Sequence, residues 1–220
     1  MVAGEEVKLE PTKPVYIHDY FRQASGITYG GRGSTTVHKR YPSGPAPADK
    51  RARLAKPLPK DPITGKDQQI VALVKPFRFH RGGSCAFSTV GDYLRFAQML
   101  LDGGAIGGQR VPSPKTVSAM TSDHLGAGIR NRVARVKQHR DGYGFGPGVA
   151  MRLREGIAAT TGSKGDYTWN GANGTLFWND HQERLTVVVG TAAPGEIRKY
   201  CREQMGALVY GAITASRHAP

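Results

Sequence analysis

The stretch Thr175-Leu-Phe-Trp-Asn-Asp-His-Gln-Glu-Arg-Leu-Thr-Val-Val-Val189 decides the fold. Two runs rich in aromatic and β-branched residues, Thr175–Trp178 and Leu185–Val189, flank the polar stretch Asn179–Glu183. That pattern predicts an antiparallel hairpin with its turn at 179–183. Upstream, Tyr143-Gly-Phe145 and Val149-Ala-Met151 read as shorter strands broken up by glycine. Downstream of Pro194-Gly195, the residues Ile197, Cys201, Met205, Leu208, Val209 and Ala212 share one helical stripe. A stripe of that kind should lie on the face of the sheet.

Helices precede the strands. Thr89 and Asp92 stand in capping-box relation, and Tyr93, Phe96, Ala97, Leu100 and Leu101 recur at helical spacing until Gly103-Gly104. Ser113-Pro114 opens a second helix as N-cap and first-turn proline, with Val117 and Met120 as its inward positions. Residues 15–24 predict a short amphipathic helix ahead of Gly26. The intervening region is rich in Gly, Pro, Lys and Arg, and its prolines at 42, 45, 47, 57, 59 and 62 forbid a long helix. The expected organisation is an N-terminal remnant over 1–30, a basic connector over 31–80 and an α+β part over 81–215. The fold class is α+β, an antiparallel sheet with flanking helices.

Composition narrows the function classes. The chain is globular in composition and carries a formal charge of +14, which attracts polyanions. Its basic residues concentrate from Arg32 to Lys75 and again at Arg130, Arg132, Arg135, Lys137 and Arg140. Neither cluster forms a nucleic-acid motif or interleaves aromatic residues at stacking intervals, so nucleic-acid binding is the lesser reading. The two cysteines, Cys85 and Cys201, are far apart, and no His-Glu-x-x-His or Cys-x-x-Cys occurs. No metal and no cofactor are therefore expected. The start Met-Val-Ala-Gly-Glu-Glu is not a signal sequence, and no apolar run spans a bilayer. The expected compartment is cytoplasmic, without membrane contact.

Three stretches resemble β-lactamase-like serine hydrolases, the class C β-lactamase and family VIII carboxylesterase group with a penicillin-binding-protein-like fold. The first runs from Val15 to Tyr29 and ends Ser25-Gly-Ile-Thr-Tyr29. The second is Arg81-Gly-Gly-Ser-Cys-Ala-Phe-Ser-Thr-Val-Gly-Asp through Gly104, followed by Pro112-Ser-Pro-Lys-Thr-Val. It is similar to the family's glycine-rich loop and the helix after it. The third is Tyr143-Gly-Phe-Gly together with Trp169-Asn-Gly-Ala-Asn-Gly-Thr-Leu-Phe-Trp178. It looks like the strand bearing the family's third active-site motif, in the esterase form.

The resemblance implies acyl-enzyme hydrolysis of a small ester or β-lactam-like substrate. That chemistry needs a Ser-x-x-Lys nucleophile, a loop tyrosine, and a backbone N–H that helps hold the oxyanion. In this chain no serine has lysine three residues on. The tyrosine segment is shortened, leaving Tyr41 in a Pro/Gly-rich turn as a weak candidate. Ser84 lies in a near-elbow, Gly82-Gly-Ser84-Cys-Ala86, that lacks the preceding buried strand and the final glycine. Cys85 has no partnered base and reads as a small buried side chain.

What the resemblance preserves is one wall of a cleft: Trp169, Asn170, Gly171 and Ala172, with the Ala172 N–H in the oxyanion position. The expected fold is a truncated β-lactamase/transpeptidase type with most of the helical domain missing. The chain reads as a related hydrolase, incomplete by itself. The alternatives are a non-catalytic binding protein on a decayed hydrolase fold and a basic nucleic-acid binder. Because the family's sheet takes strands from both chain ends, the resemblance also implies an open sheet edge near 175–189 and self-association.

Overall fold

The computed structural model describes residues 48–70, 88–127, 129–131, 133–136 and 140–217, without the side chains of 48–50, 135 and 136. The expected helix at 15–24 and the candidates Tyr41, Ser84 and Cys85 lie outside these residues. A 3-10 turn spans Ala48–Arg53. Helix α1 (Val90–Leu101) is followed by a small ribbon of β1 (Ala105–Ile106) and β2 (Gln109–Arg110). Helices α2 (Pro114–Met120) and α3 (Val133–Val136) lead into the main sheet. Its strands are β3 (Tyr143–Phe145), β4 (Ala150–Arg152), β5 (Tyr167–Asn170), β6 (Leu176–Asp180) and β7 (Leu185–Val189). They pair antiparallel in chain order, and α4 (Ile197–Gly211) closes the fold. This is the expected α+β architecture.

The predicted caps form. The Thr89 side chain accepts the Asp92 N–H at 3.1 Å, and Ser113 accepts the Thr116 N–H at 3.1 Å. Gly104 ends the α1 region at φ +96°, where a Cβ would sit 2.2 Å from the Pro112 carbonyl oxygen. No side chain fits there. On α1 the buried positions are Ala97, Met99, Leu100 and Leu101, while Tyr93 and Phe96 stay over a third exposed. Met99 turns inward because the β1–β2 ribbon folds back beside the helix.

The hairpin is shifted relative to its sequence reading. β6 continues through Asn179 and Asp180, both fully buried, and the turn spans 181–184 with Arg184 at φ +53°. Buried polar partners carry the strand further than its apolar pattern. Asn179 donates to the Ala97 carbonyl and the Tyr167 hydroxyl, each at 2.7 Å. Asp180 accepts the Gln182 and Glu183 N–H groups, and so builds the turn itself.

The sheet has two unlike faces. Alternation places Met151, Tyr167, Phe177 and Val188 toward α1, where they join Ala97, Leu100 and Val117 in the apolar core. The opposite face carries Tyr143, Arg152, Asp166, Thr168 and Asp180, a polar set buried to within 3%. Helix α4 lies over this second face, with Ile197, Cys201, Met205 and Val209 of the expected stripe partly buried and Leu208 and Ala212 exposed. None of its residues is fully buried, and Leu208 is 65% exposed. It is turned so that Arg198, Arg202 and Tyr210 meet the sheet. Tyr210 stacks on Trp178 and donates to Asp180 at 2.8 Å. A polar face selects polar anchors, so the arginine and tyrosine row shares the partly buried side of the helix with Met205 and Val209.

The described part of the expected connector, residues 48–70, makes specific contacts. Lys60 pairs with Asp67 as an isolated bridge. Between them Asp61, 1% exposed, accepts the N–H groups of Ile63, Thr64 and Ile197. Gln68 accepts the Gly195 N–H. These contacts hold the start of α4. No helix among the described residues is long and apolar enough to cross a membrane.

Candidate functional site

The stretch Trp169–Trp178 is not one strand. It is two, β5 and β6, joined through Gly171–Thr175. The Gly171 N–H donates to the Thr175 carbonyl, and the Gly174 N–H to that of Gly171. Gly174 supplies the positive φ, +99°, that the tight return needs.

β5 lies in the middle of the sheet, yet its last two residues form a local edge. β4 pairs with it only at Tyr167 and Thr168, whereas β6 pairs with it through Asn170. Trp169 and Asn170 therefore overhang the end of β4. Antiparallel strands alternate the direction of their backbone groups. The Arg152 N–H bonds the Asp166 carbonyl, so the peptide groups of Asp166, Thr168 and Asn170 face the β4 side. Past the end of β4, those of Asn170 face outward.

Helix α4 fixes the next peptide. Arg202 donates to the carbonyls of Gly171 and Thr175, and Arg198 to that of Ala172. A trans peptide holds its C=O and N–H in opposite directions. Drawing the Gly171 carbonyl toward α4 thus turns the Ala172 N–H away from that helix, and Ala172 is exposed. Trp169 braces the overhang by packing against both core clusters, its ring edge-on to Phe145 at 5.0 Å. The structure thus gathers Trp169, Asn170, Gly171 and Ala172 at one end of the sheet.

The electrostatics of this corner are positive. Burial, with Arg198 and Arg140 nearby, lowers the Arg202 guanidinium to about 10. Its Nε and the Asn170 Oδ1 are buried without a hydrogen-bond partner among the described residues. Sequence reading missed these arginines. Their signal was the i, i+4 spacing of Arg198 and Arg202, which places both on one side of a helix.

A second polar cluster is structural. Arg152 Nε meets Asp166 at 2.8 Å with both side chains nearly inaccessible, and the Tyr143 hydroxyl donates to the same carboxylate at 2.7 Å. Burial raises Asp166 above the usual carboxylate range, with Arg152 only partly offsetting it. Burial and Asp166 push the Tyr143 phenol far up. No group of three or more metal-ligating side chains occurs among the described residues.

No known family profile matches the chain. Protein Rv1367c of Mycobacterium tuberculosis (strain ATCC 25618 / H37Rv) is 31% identical over 118 residues, 52% of this chain and 29% of that protein. Uncharacterized protein MT1414 of strain CDC 1551 / Oshkosh matches equally. The chain thus spans less than a third of these relatives' length. Among solved structures, unliganded simvastatin synthase (LovD) from Aspergillus terreus superposes with a TM-score of 0.50 and 17% identity. That match covers 69% of this chain and 39% of LovD. EstCE1, described as a hydrolase with promiscuous acyltransferase activity, aligns at TM-score 0.44 and 26% identity, over 56% of this chain and 29% of its own. The superposition on LovD bears on the fold alone, an α+β fold of the β-lactamase/transpeptidase type.

Proposed function

We propose that this chain is the acyl-binding part of a β-lactamase-related serine hydrolase of the carboxylesterase branch, without a complete nucleophile set of its own. The observation that supports the reading is the overhang of Trp169 and Asn170 past β4, with the Ala172 amide turned away from α4. A small ester or β-lactam-like carbonyl laid along this edge meets a backbone donor in the oxyanion position. The positive corner adds a field that favours the developing negative charge.

Because no Ser-x-x-Lys occurs, the expected behaviour is binding without turnover. The purified chain is tested with short-chain p-nitrophenyl esters and a chromogenic cephalosporin, alongside mass spectrometry for a covalent acyl adduct. No hydrolysis and no adduct, with measurable ligand retention, is the expected result. Turnover that survives Ser84→Ala but is lost with another serine would show that a nucleophile is present after all. Absence of both turnover and retention removes the acyl-site reading.

A further inference from the structure

Helix α4 does not cap itself. Glu196 at its N-cap already has helical dihedrals, and its carboxylate turns to Lys199 instead of the first-turn amides. The cap comes from the loop 58–68, more than a hundred residues upstream. That loop closes on its own backbone. The Asp61 N–H donates to the Lys66 carbonyl at 2.8 Å, and the Gln68 N–H to that of Pro59 at 2.9 Å. The two carboxylate oxygens of Asp61 then divide the work. Oδ1 accepts the Ile63 and Thr64 N–H groups at 2.8 and 3.1 Å, within the loop. Oδ2 accepts the Ile197 N–H at 3.1 Å, at the start of α4. Orphan amides and the positive end of the helix favour a carboxylate there. Beside it, Gln68 accepts the Gly195 N–H at 3.0 Å while donating to the Lys60 carbonyl. The fit is close: a Cβ at Gly195 would sit 1.8 Å from Asp61 Oδ2.

What this clasp holds is joined to the candidate site by two routes. Along the chain, the Ala193 N–H donates to the Asn173 carbonyl at 2.7 Å. Gly174 lies so near the same segment that a Cβ on it would come within 2.3 Å of Thr191 Oγ1. Along the helix, Arg198 and Arg202 follow Ile197 and grip the carbonyls of Ala172, Gly171 and Thr175. Both routes end on the return between β5 and β6. There the Gly171 carbonyl fixes which way the Ala172 N–H points. A helix pinned at its first turn carries that position to its arginines, whereas an unpinned end opens locally.

We propose that Asp61 and Gln68 are positioning residues of the Trp169–Ala172 edge. The loop 58–68 sets the first turn of α4 and the 193–195 segment, and through them the direction of the Ala172 amide. What the edge binds rests on the acyl-site reading; the coupling between loop and edge does not.

Asp61→Asn tests the coupling with a small change. The asparagine oxygen still serves Ile63 and Thr64, but its NH2 group faces the Ile197 N–H, so the link to α4 alone is broken. Gln68→Met removes the Gly195 contact independently. Amide hydrogen exchange on the full chain reads the outcome. In each variant the Gly171, Gly174 and Ala193 amides should gain about tenfold more in rate than those of Tyr167 and Asn179, paired in the buried centre of the sheet. A residue that only stabilised the fold would quicken the central pair at least as much as the return. Both variants should also retain the chromogenic cephalosporin roughly tenfold more weakly than the wild type. Wild type that retains none removes the acyl-site reading, and the exchange pattern alone then decides the coupling. Circular dichroism checks folding, and Gln68→Met decides if Asp61→Asn is unfolded. A gain at Gly171 and Gly174 no larger than at the central pair overturns the proposal. So does undiminished retention in a variant of a wild type that binds.

Discussion

The two edges of the five-stranded sheet solve the same problem by opposite means. β3 is closed by local polar chemistry: Asp123, His124 and Asn131 satisfy its outward groups, and the Tyr143–Asp166–Arg152 set anchors its inner face. β7 is apolar and uncharged, no described residue closes its outer side, and its support comes from α1 on one face. One edge is specified by side chains that can serve only one arrangement. The other is specified by backbone groups that any strand could use.

Breaking the guarded side should have the largest effect. Arg152→Met leaves the Asp166 carboxylate buried without its cation, and should cost roughly 3–5 kcal/mol in urea unfolding. A loss under about 1 kcal/mol would mean that the pair is far more hydrated than its burial implies. Next, Asp123→Ala strips the Phe145 N–H of its acceptor, with an expected cost of about 1–3 kcal/mol. The same variant frees the outward Phe145 N–H of β3. Light scattering should then show assemblies larger than the wild type forms, and unchanged size would show that the β3 edge needs no guard.

The smallest effect concerns pH, and it separates the two sides by sign. On the β7 side, Asp61 clasps the segment that leads from the strand into α4. Burial would raise its carboxyl, but the amides of Ile197, Ile63, Thr64 and Glu196 prevail and hold it below 3.8. A depressed carboxylate stabilises the fold above its unfolded value and loses that contribution as pH falls through its folded value. Asp61→Asn should therefore unfold at a lower temperature than wild type at pH 7, with the gap narrowing as the pH is brought below about 4. A gap that stays constant with pH would mean that the carboxylate charge plays no part in the clasp. Asp166 has the opposite sign. Burial holds it above 3.8, so its contribution is full at low pH and declines as the pH rises through its folded value.

Much of the fold was legible in the residues. The caps at Thr89 and Ser113 and the strands at 143–145 and 185–189 are written in local chemistry, because a hydroxyl beside an orphan N–H or a run of β-branched residues needs no distant partner. The continuation of β6 through Asn179 and Asp180 was not legible. Two polar residues read as a turn until Ala97, Tyr167 and Tyr210 supply their hydrogen bonds from elsewhere in the chain. The orientation of α4 was legible only in part. Its apolar stripe was visible, but Arg202 and Tyr210 share the partly buried side because the face beneath is polar, and that follows from Asp166 and Arg152 meeting beside β4 and β5. Asp61 sits in a stretch that reads as connector, and nothing local announces that its carboxylate holds a helix more than a hundred residues away.

The candidate site divides along the same line. The residues Trp169 to Ala172 could be picked out by their resemblance to a motif. That β5 outruns β4, and that Arg198 and Arg202 turn the Ala172 amide outward, are relations between elements that no spacing encodes. The sequence by itself determined the class of fold and the caps, because those depend on neighbours along the chain. Only the tertiary structure decided how the β3 edge is closed, which side of α4 meets the sheet and where the amide points. Those depend on backbone groups identical in every residue, whose partners are chosen by packing.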